Sequence, residues 1–305
     1  MRDLIVIGGA SAAQSAAIYA VRAGVEVTVV ADEYGGQINN TDKVENYLGI
    51  KSIGGPELGE KFVEHMRDYD IEEKKGLRAT EVRKKEDGNF EVELEDGEVL
   101  ESRAVIIATG GHRRKLDVEG EQEFTGKGVS YCAVCDGPLY QGEEVAVVGA
   151  GYAGTEAAAY LTDVVEKVHI INRSEGFSGE EITIKQVREA ENVDHHENAQ
   201  IQEIYGENLV EGLKYERDGE VTDLEVAGVF IEIGTVPNSG ISDLVETTES
   251  GYIEVNPEME TGTEGLYAAG DVADIGAQQL VVSAGQGCQA GLNAAEYIKE
   301  KKSEA

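Results

Sequence analysis

Apolar residues in this chain gather in short unbroken runs, each followed by a glycine turn and an alanine-rich stretch. The first run, Leu4-Ile5-Val6-Ile7, shows no polar alternation, as expected of a strand covered on both faces. It breaks at Gly8-Gly9-Ala10-Ser11-Ala12-Ala13. The small residues from about position 12 to position 23 predict a helix closed by Gly24. A second strand, Glu26-Val27-Thr28-Val29-Val30, leads to Asp32. Strand, glycine turn, helix, strand and acid form a βαβ unit that sets a pyrophosphate at a helix N-terminus and a ribose at the acid.

The pattern returns. Val145-Ala146-Val147-Val148 is a second buried run, followed by Gly149-Ala150-Gly151-Tyr152-Ala153-Gly154, a helix over about 152–161 and the strand Val168-His169-Ile170-Ile171. The two turns begin 141 residues apart (149 − 8). Two such units in 305 residues predict an α/β protein with two Rossmann-like nucleotide-binding domains. A third signal, Gly265-Leu266-Tyr267-Ala268-Ala269-Gly270-Asp271, is a short apolar strand ending in small residues and an acid. It suggests a chain that returns to complete the first domain. Positions 81–100 alternate β-prone and charged residues around Asp87-Gly88 and Asp96-Gly97, which predicts an antiparallel hairpin. Within the first turn Gly8 supplies the tight bend and Ala13 suits helix-to-strand packing. Ala10 stands where glycine normally admits the pyrophosphate, so its methyl crowds that approach.

Charge changes the picture of partners. Acidic residues number 60 against 26 basic, a net charge of −34 spread along the whole chain. Nucleic acid and anionic membranes need clustered Lys and Arg, so both are excluded as partners. The excess describes the hydrated surface of a protein in a salt-rich, halophile-type cytoplasm, where a Debye length of about 3 Å screens self-repulsion. No apolar run approaches the roughly 20 residues of a bilayer span, and the N-terminal run is too short for a signal peptide. A soluble cytoplasmic protein is expected.

Three cysteines occur. Cys132 and Cys135 form a Cys-x-x-Cys pair, in which one sulfur attacks a disulfide and the other resolves it. Cys288 stands alone and reads as a small packed side chain. Zinc needs four ligands and the pair supplies two. The adjacent His195 and His196 read as part of a polar surface strand or loop, so no metal is expected. A purely structural thiol pair is the bland alternative.

The chain resembles the low-molecular-weight thioredoxin reductases along nearly its whole length. The resemblance rests on Gly35-Gly36-Gln37-Ile38, Val44-Glu45-Asn46-Tyr47 and Ile106-Ile107-Ala108-Thr109-Gly110. It rests equally on Tyr131-Cys132-Ala133-Val134-Cys135-Asp136-Gly137, Gly228-Val229-Phe230-Ile231-Glu232-Ile233-Gly234, and Gly270-Asp271-Val272 with Gln279. It implies three-layer ββα architecture and an FAD domain interrupted by a pyridine-nucleotide domain that carries the redox cysteines. The expected segments are 1–114 and 243–305 for the FAD domain and 115–242 for the insertion. By the same resemblance, Gly8, Ala10 and Ala13 line the FAD pyrophosphate and Asp32 lies near the adenosine ribose. Gln37 and Asn46 approach the flavin, and Asp271 and Gln279 bind its ribityl chain or ring. Cys132 attacks the protein substrate, a thioredoxin-like disulfide. Cys135 exchanges electrons with the flavin, and Asp136 transfers protons. A homodimer is implied as well.

The pattern departs at the electron donor. NADPH-dependent relatives carry a His-Arg-Arg-x-x-x-Arg clamp, whereas this chain has Asn172-Arg173-Ser174-Glu175-Gly176-Phe177-Ser178. Gly149, Gly151 and Gly154 keep the nucleotide turn, and Arg173 alone remains of the clamp, with Asn172 and Ser174 as further donors. Three donors therefore stay open: NADPH on a reduced clamp, NADH, and reduced ferredoxin or another reduced flavin. Tyr152 adds to the question, because it replaces a small or acidic residue usual in the family with a ring that could cover the groove. Gln278 replaces an arginine usual before the matching glutamine. Rival functions are a ferredoxin–NADP reductase, which lacks the cysteine pair, a reductase for a glutaredoxin-like or peroxide-reducing partner, and a flavin-bound redox sensor without turnover.

Overall fold

The apolar runs become the central strands of two parallel sheets. In this computed structural model residues 1–40, 44–274 and 276–304 are described, the side chains of Asn40, Cys135 and Glu304 excepted. The chain divides into one unit made of residues 1–112 and 236–305 and another made of 113–235.

The first unit opens with β1 (Arg2–Ile7), α1 (Ser11–Arg22) and β2 (Val27–Ala31), then α2 (Gly55–Arg67), β3 (Glu72–Lys75), β4 (Ala79–Lys84), β5 (Phe90–Leu94), β6 (Val99–Ile107) and β7 (Gly111–Arg113). The second carries β8 (Val129–Ser130), α3 (Ala133–Asp136), β9 (Glu144–Val148), α4 (Tyr152–Leu161), β10 (Lys167–Ile171), α5 (Glu181–Glu189), β11 (Val193–His196), β12 (Ala199–Gly206), β13 (Val210–Arg217), β14 (Glu220–Glu225) and β15 (Gly228–Ile231). The return runs through β16 (Thr235–Pro237), β17 (Leu266–Ala268) and α6 (Leu280–Glu304).

In the first sheet β3, β2, β1 and β6 lie side by side in parallel, and β17 joins β6 in parallel. The start of β6 instead pairs antiparallel with β5, and β5 with β4. The predicted hairpin is thus a three-stranded meander whose last strand continues into the parallel sheet. Phe90, Val92 and Leu94 of β5 alternate inward, which sets its register. On the helical face α1 packs against α6 at backbone distance. A Cβ on Gly287 would stand 2.0 Å from the carbonyl oxygen of Ala12, and one on Gly291 2.4 Å from that of Ala16. These two glycines, one turn apart, let the C-terminal helix seat the helix that starts at the first nucleotide turn.

In the second unit β11, β10, β9, β15 and β8 form a parallel sheet with the antiparallel β12–β13–β14 sheet on one face. Strand alternation separates two cores. Ala146, Val148, Ile171 and Ile231 meet Ile201, Leu213 and Tyr215. Val145, Val147, Ile170 and Phe230 meet Ala157, Ala158 and Leu161 of α4 and Val187 of α5. The layers are sheet, sheet and helix.

The crossovers lie at 112/113 and 235/236, earlier than the expected 114/115 and 242/243. The later exit moves because residues after Pro237 already bond within the first unit. The Ile241 carbonyl accepts the Val82 N–H, Ser242 Oγ donates to the Val82 carbonyl, and Ser239 Oγ donates to the Gly251 carbonyl. β7 and β16 pair as a two-stranded ribbon at the crossover. No helix among the described residues is long and apolar enough to cross a membrane.

Candidate active site

The first glycine turn is closed to side chains. Gly8 has φ +136°, and a Cβ there would stand 2.1 Å from the Ala108 carbonyl oxygen; one on Gly9 would stand 2.0 Å from that of Glu33. Ala10 is the N-cap of α1 and gives no side-chain cap. Gln14 donates Nε2 to the Gly9 carbonyl at 2.8 Å, while its Oε1 is buried without a partner. An uncapped helix start beside an orphaned acceptor fits a bound dinucleotide, which brings phosphate oxygens and hydrogen-bond donors. Ala13 is fully buried on α1.

Around this turn the expected residues take up definite partners. Asp32 follows β2, accepts the Glu33 N–H at 2.9 Å and pairs with Arg78, whose Nε lies 3.1 Å away. Burial acts on the Asp32 carboxyl first, pushing it up, but the Arg78 contacts and the Glu33 N–H hold it below the usual carboxylate range. Gln37 is exposed and donates to the Gly111 carbonyl at 3.3 Å. Asn46 Nδ2 donates to Gln279 Oε1 at 3.1 Å, joining two residues 233 positions apart. Asp271 accepts from Ser283 Oγ at 2.9 Å; burial pushes its carboxyl up and that bond opposes the shift. Gly270 beside it lies against the start of α1, where a Cβ would meet the Ala12 Cβ at 2.9 Å. Gln278, in the place of the arginine, donates to Tyr252 Oη at 2.8 Å.

At the second turn Gly149 and Gly154 are demanded by packing. A Cβ on Gly149 would stand 2.4 Å from the Glu232 carbonyl oxygen and one on Gly154 2.2 Å from that of Gly149. Gly151, the N-cap of α4, has open space and no side-chain cap. Tyr152 is 64% exposed at the start of α4.

The loop after β10 corrects one expectation. Asn172 is not free to grip a phosphate: it is buried, its Nδ2 donates to the Ser174 carbonyl at 2.6 Å, and its Oδ1 meets His195 Nε2 at 2.7 Å. The Gly176 N–H donates to Glu197 Oε1 at 2.8 Å. Asn172 therefore shapes the loop. Arg173 is exposed in a shallow depression that Glu216 and Asp218 also line.

The redox motif occupies the short helix α3 and the residues before it. Cys132 is held in a disulfide; the side chain of Cys135 lies outside the described residues. Ser130 Oγ donates to Asp136 Oδ2 at 2.6 Å and accepts the Cys132 N–H at 3.0 Å. Two buried carboxylates anchor the motif. Glu121, 3% exposed, accepts the Tyr131 hydroxyl at 2.7 Å along with the N–H groups of Leu116 and Asp117. Glu232, 7% exposed at the end of β15, accepts the Ala133 N–H and takes Arg113 Nη1 at 2.8 Å. Neither carboxylate was singled out from the sequence. The signal for Glu232 was there: one acid closing the apolar run Val229-Phe230-Ile231 at the C-terminal end of a parallel strand.

His195 and His196 lie half-buried on β11 and, as neighbours on a strand, point to opposite faces. His196 joins His169 and Asp194 in a cluster of potential ligands. His169 Nδ1 meets His196 Nε2 at 3.3 Å, with ring centroids 5.6 Å apart. His169 Nε2 meets Glu144 Oε2 at 2.8 Å and His196 Nδ1 meets Tyr215 Oη at 3.1 Å. Cys288 is free and half-buried on α6.

Two nucleotide-type turns, one nested within the other's chain, with a disulfide on a Cys-x-x-Cys motif, define a dinucleotide-dependent disulfide oxidoreductase. The chain belongs to the pyridine nucleotide-disulphide oxidoreductase family, whose model matches residues 2–287. It is 40% identical over 299 residues to an alkyl hydroperoxide reductase subunit of Staphylococcus aureus, covering 97% of this chain but spanning only 59% of that relative's length. Among solved structures, the thioredoxin reductase of Lactococcus lactis matches with a TM-score of 0.88 and 33% identity over 98% of this chain and all of that one. A ferredoxin-flavin thioredoxin reductase from Clostridium acetobutylicum matches with a TM-score of 0.55 and 32% identity, over 99% of this chain and 98% of that one.

Proposed function

We propose that this chain is an FAD-dependent disulfide reductase of the thioredoxin reductase type, delivering electrons through the Cys132/Cys135 pair to a thioredoxin-like protein. The observation that carries the reading is the Cys132 disulfide beside the Ser130–Asp136 hydrogen bond, set in a chain of which 98% matches a solved thioredoxin reductase. A homodimer in a salt-rich cytoplasm belongs to the same reading.

The residues divide the work. Gly8, Ala10 and Ala13 cradle the FAD pyrophosphate, Asp32 serves the ribose, and Gln37, Asn46, Asp271 and Gln279 hold the ribityl chain and ring. FAD, when bound and reduced by the electron donor, would supply the two electrons that open the enzyme disulfide. Cys132, once a thiolate, attacks the substrate disulfide and releases its first thiol; Cys135 then displaces the second and re-forms the enzyme disulfide. Asp136, oriented by Ser130, carries the protons that the thiols take up and lose.

For the donor, NADPH on Gly149, Gly151, Gly154 and Arg173 is the first reading, supported by the uncapped, open turn at Gly151. Ferredoxin is the second, and the commitment of Asn172 to its own loop favours it, since Arg173 then stands nearly alone. Stopped-flow mixing of the oxidised yellow protein with NADPH, NADH and reduced ferredoxin decides between them by bleaching of the flavin band. Thioredoxin turnover with the competent donor, abolished by Cys135→Ser while the flavin is retained, tests the reductase itself. A flavin-bound protein that turns over with none of these donors would sink the reading in favour of a redox sensor.

A further inference from the structure

Glu232 is a carboxylate with no part in the roles above, yet it touches the redox motif. It closes β15, and its own N–H bonds to the Val148 carbonyl at 2.9 Å, beside the second glycine turn. Its side chain accepts the N–H of Ala133, the residue after Cys132, and receives Arg113 Nη1 at 2.8 Å from β7 at the crossover. The charged groups that act on it are Arg113 and, from α4, Glu156, which in turn faces Glu180. Arg113 is 39% exposed on its side chain, so the ion pair is open to water at one end and buried at the other.

We propose that Glu232 is a positioning residue of the redox centre, tying the backbone next to Cys132 to Arg113 and tuning the reactivity of the Cys132 thiolate through its own charge. The proposal rests on the disulfide-reductase reading and adds a control to it. Three features support it. The carboxylate is buried, so its charge acts through a poorly screening medium. It bonds to the residue adjoining the attacking cysteine, so an ionised Glu232 opposes a thiolate there as a like charge. Burial pushes its carboxyl up to about 7, with Glu156 adding to the rise and Arg113 and the Ala133 N–H resisting it. Its charge therefore changes within the range in which such a thiol is used.

The test is the rate at which iodoacetamide alkylates Cys132 in dithiothreitol-reduced protein, followed by peptide mass from roughly pH 5 to pH 9. Wild type should show, besides the thiol's own titration, a second inflection near pH 7. Glu232→Gln keeps an acceptor for the Ala133 N–H and removes the charge. It should abolish that inflection and raise the alkylation rate above neutrality roughly five-fold. Arg113→Met leaves Glu232 in place and should move the inflection upward, and Glu232→Asp should restore it. Identical profiles for wild type and Glu232→Gln, or an inflection that Arg113→Met does not shift, would overturn the proposal. Alkylation needs neither donor nor thioredoxin. A protein that alkylates as described but turns over no disulfide would refute the reductase reading alone.

Discussion

The side-chain amide of Asn46 donates to that of Gln279 at 3.1 Å, across 233 residues of sequence and the whole inserted unit. One comes from the segment before α2 and the other from the residue before α6, so their meeting depends on the chain returning to its first sheet. If both hold the flavin, Asn46→Ala and Gln279→Ala should each weaken FAD binding, and the double variant should lose less than the sum. The expected coupling is about 1 kcal/mol, read from FAD titration of apoprotein by fluorescence. Strict additivity would show that the two amides do not work as a pair.

The close contact of α1 with α6 makes a sharper test of stability. Gly287→Ala puts a methyl against the Ala12 carbonyl, where only backbone could yield, and should destabilise the protein by about 2 kcal/mol or more with loss of bound flavin. Gly285 lies on the same helix, exposed, with nothing near its would-be Cβ. Gly285→Ala should be neutral or stabilise by up to about 1 kcal/mol. Urea denaturation of both variants at fixed salt checks the contrast.

Glu232 also predicts a pH dependence of stability. Its folded carboxyl sits near 7, above its ordinary value of 4.5, mainly because burial disfavours the charge. The folded state therefore binds this proton more tightly than the unfolded chain does. The ionised group costs nothing below its ordinary range, and the cost grows until pH passes about 7. Glu232→Gln should match wild type in acid and exceed it in stability above neutrality, by roughly 3 kcal/mol at most. Chemical denaturation at several pH values measures the difference, and a constant offset would contradict it.

If NADPH is the donor, its preference over NADH should be slight. Arg173 is exposed and Asn172 is spent on Ser174 and His195, so one charge-assisted contact remains. Arg173→Ala should raise KM for NADPH about tenfold and leave NADH unaffected, as steady-state kinetics with both nucleotides would report. A preference that survives the substitution would mean that other groups recognise the 2′-phosphate.

Local pattern carried much of this protein. The unbroken runs at positions 4–7 and 145–148 are legible as doubly covered strands because both faces are buried. The turns at Gly8 and Gly149 are legible because only glycine adopts their backbone where another carbonyl presses in. Helix α4 lies over 152–161 as read, and Cys132 of the Cys-x-x-Cys spacing is in a disulfide. Other features depend on partners far away in sequence, and no local pattern contains them. The hairpin expected over 81–100 is part of a meander, because β6 pairs with β5 at its start and with β1 and β17 further along. Asn172, a candidate phosphate donor by position, is consumed by His195 across to β11. The exit from the inserted unit falls at Thr235 because Ile241 and Ser242 bond to Val82. The redox motif itself is held by Glu121 and Glu232, two acids among sixty whose distinction is burial. Composition counts a carboxylate, but only the tertiary structure decides which ones leave water, and that exclusion makes them matter to the cysteines.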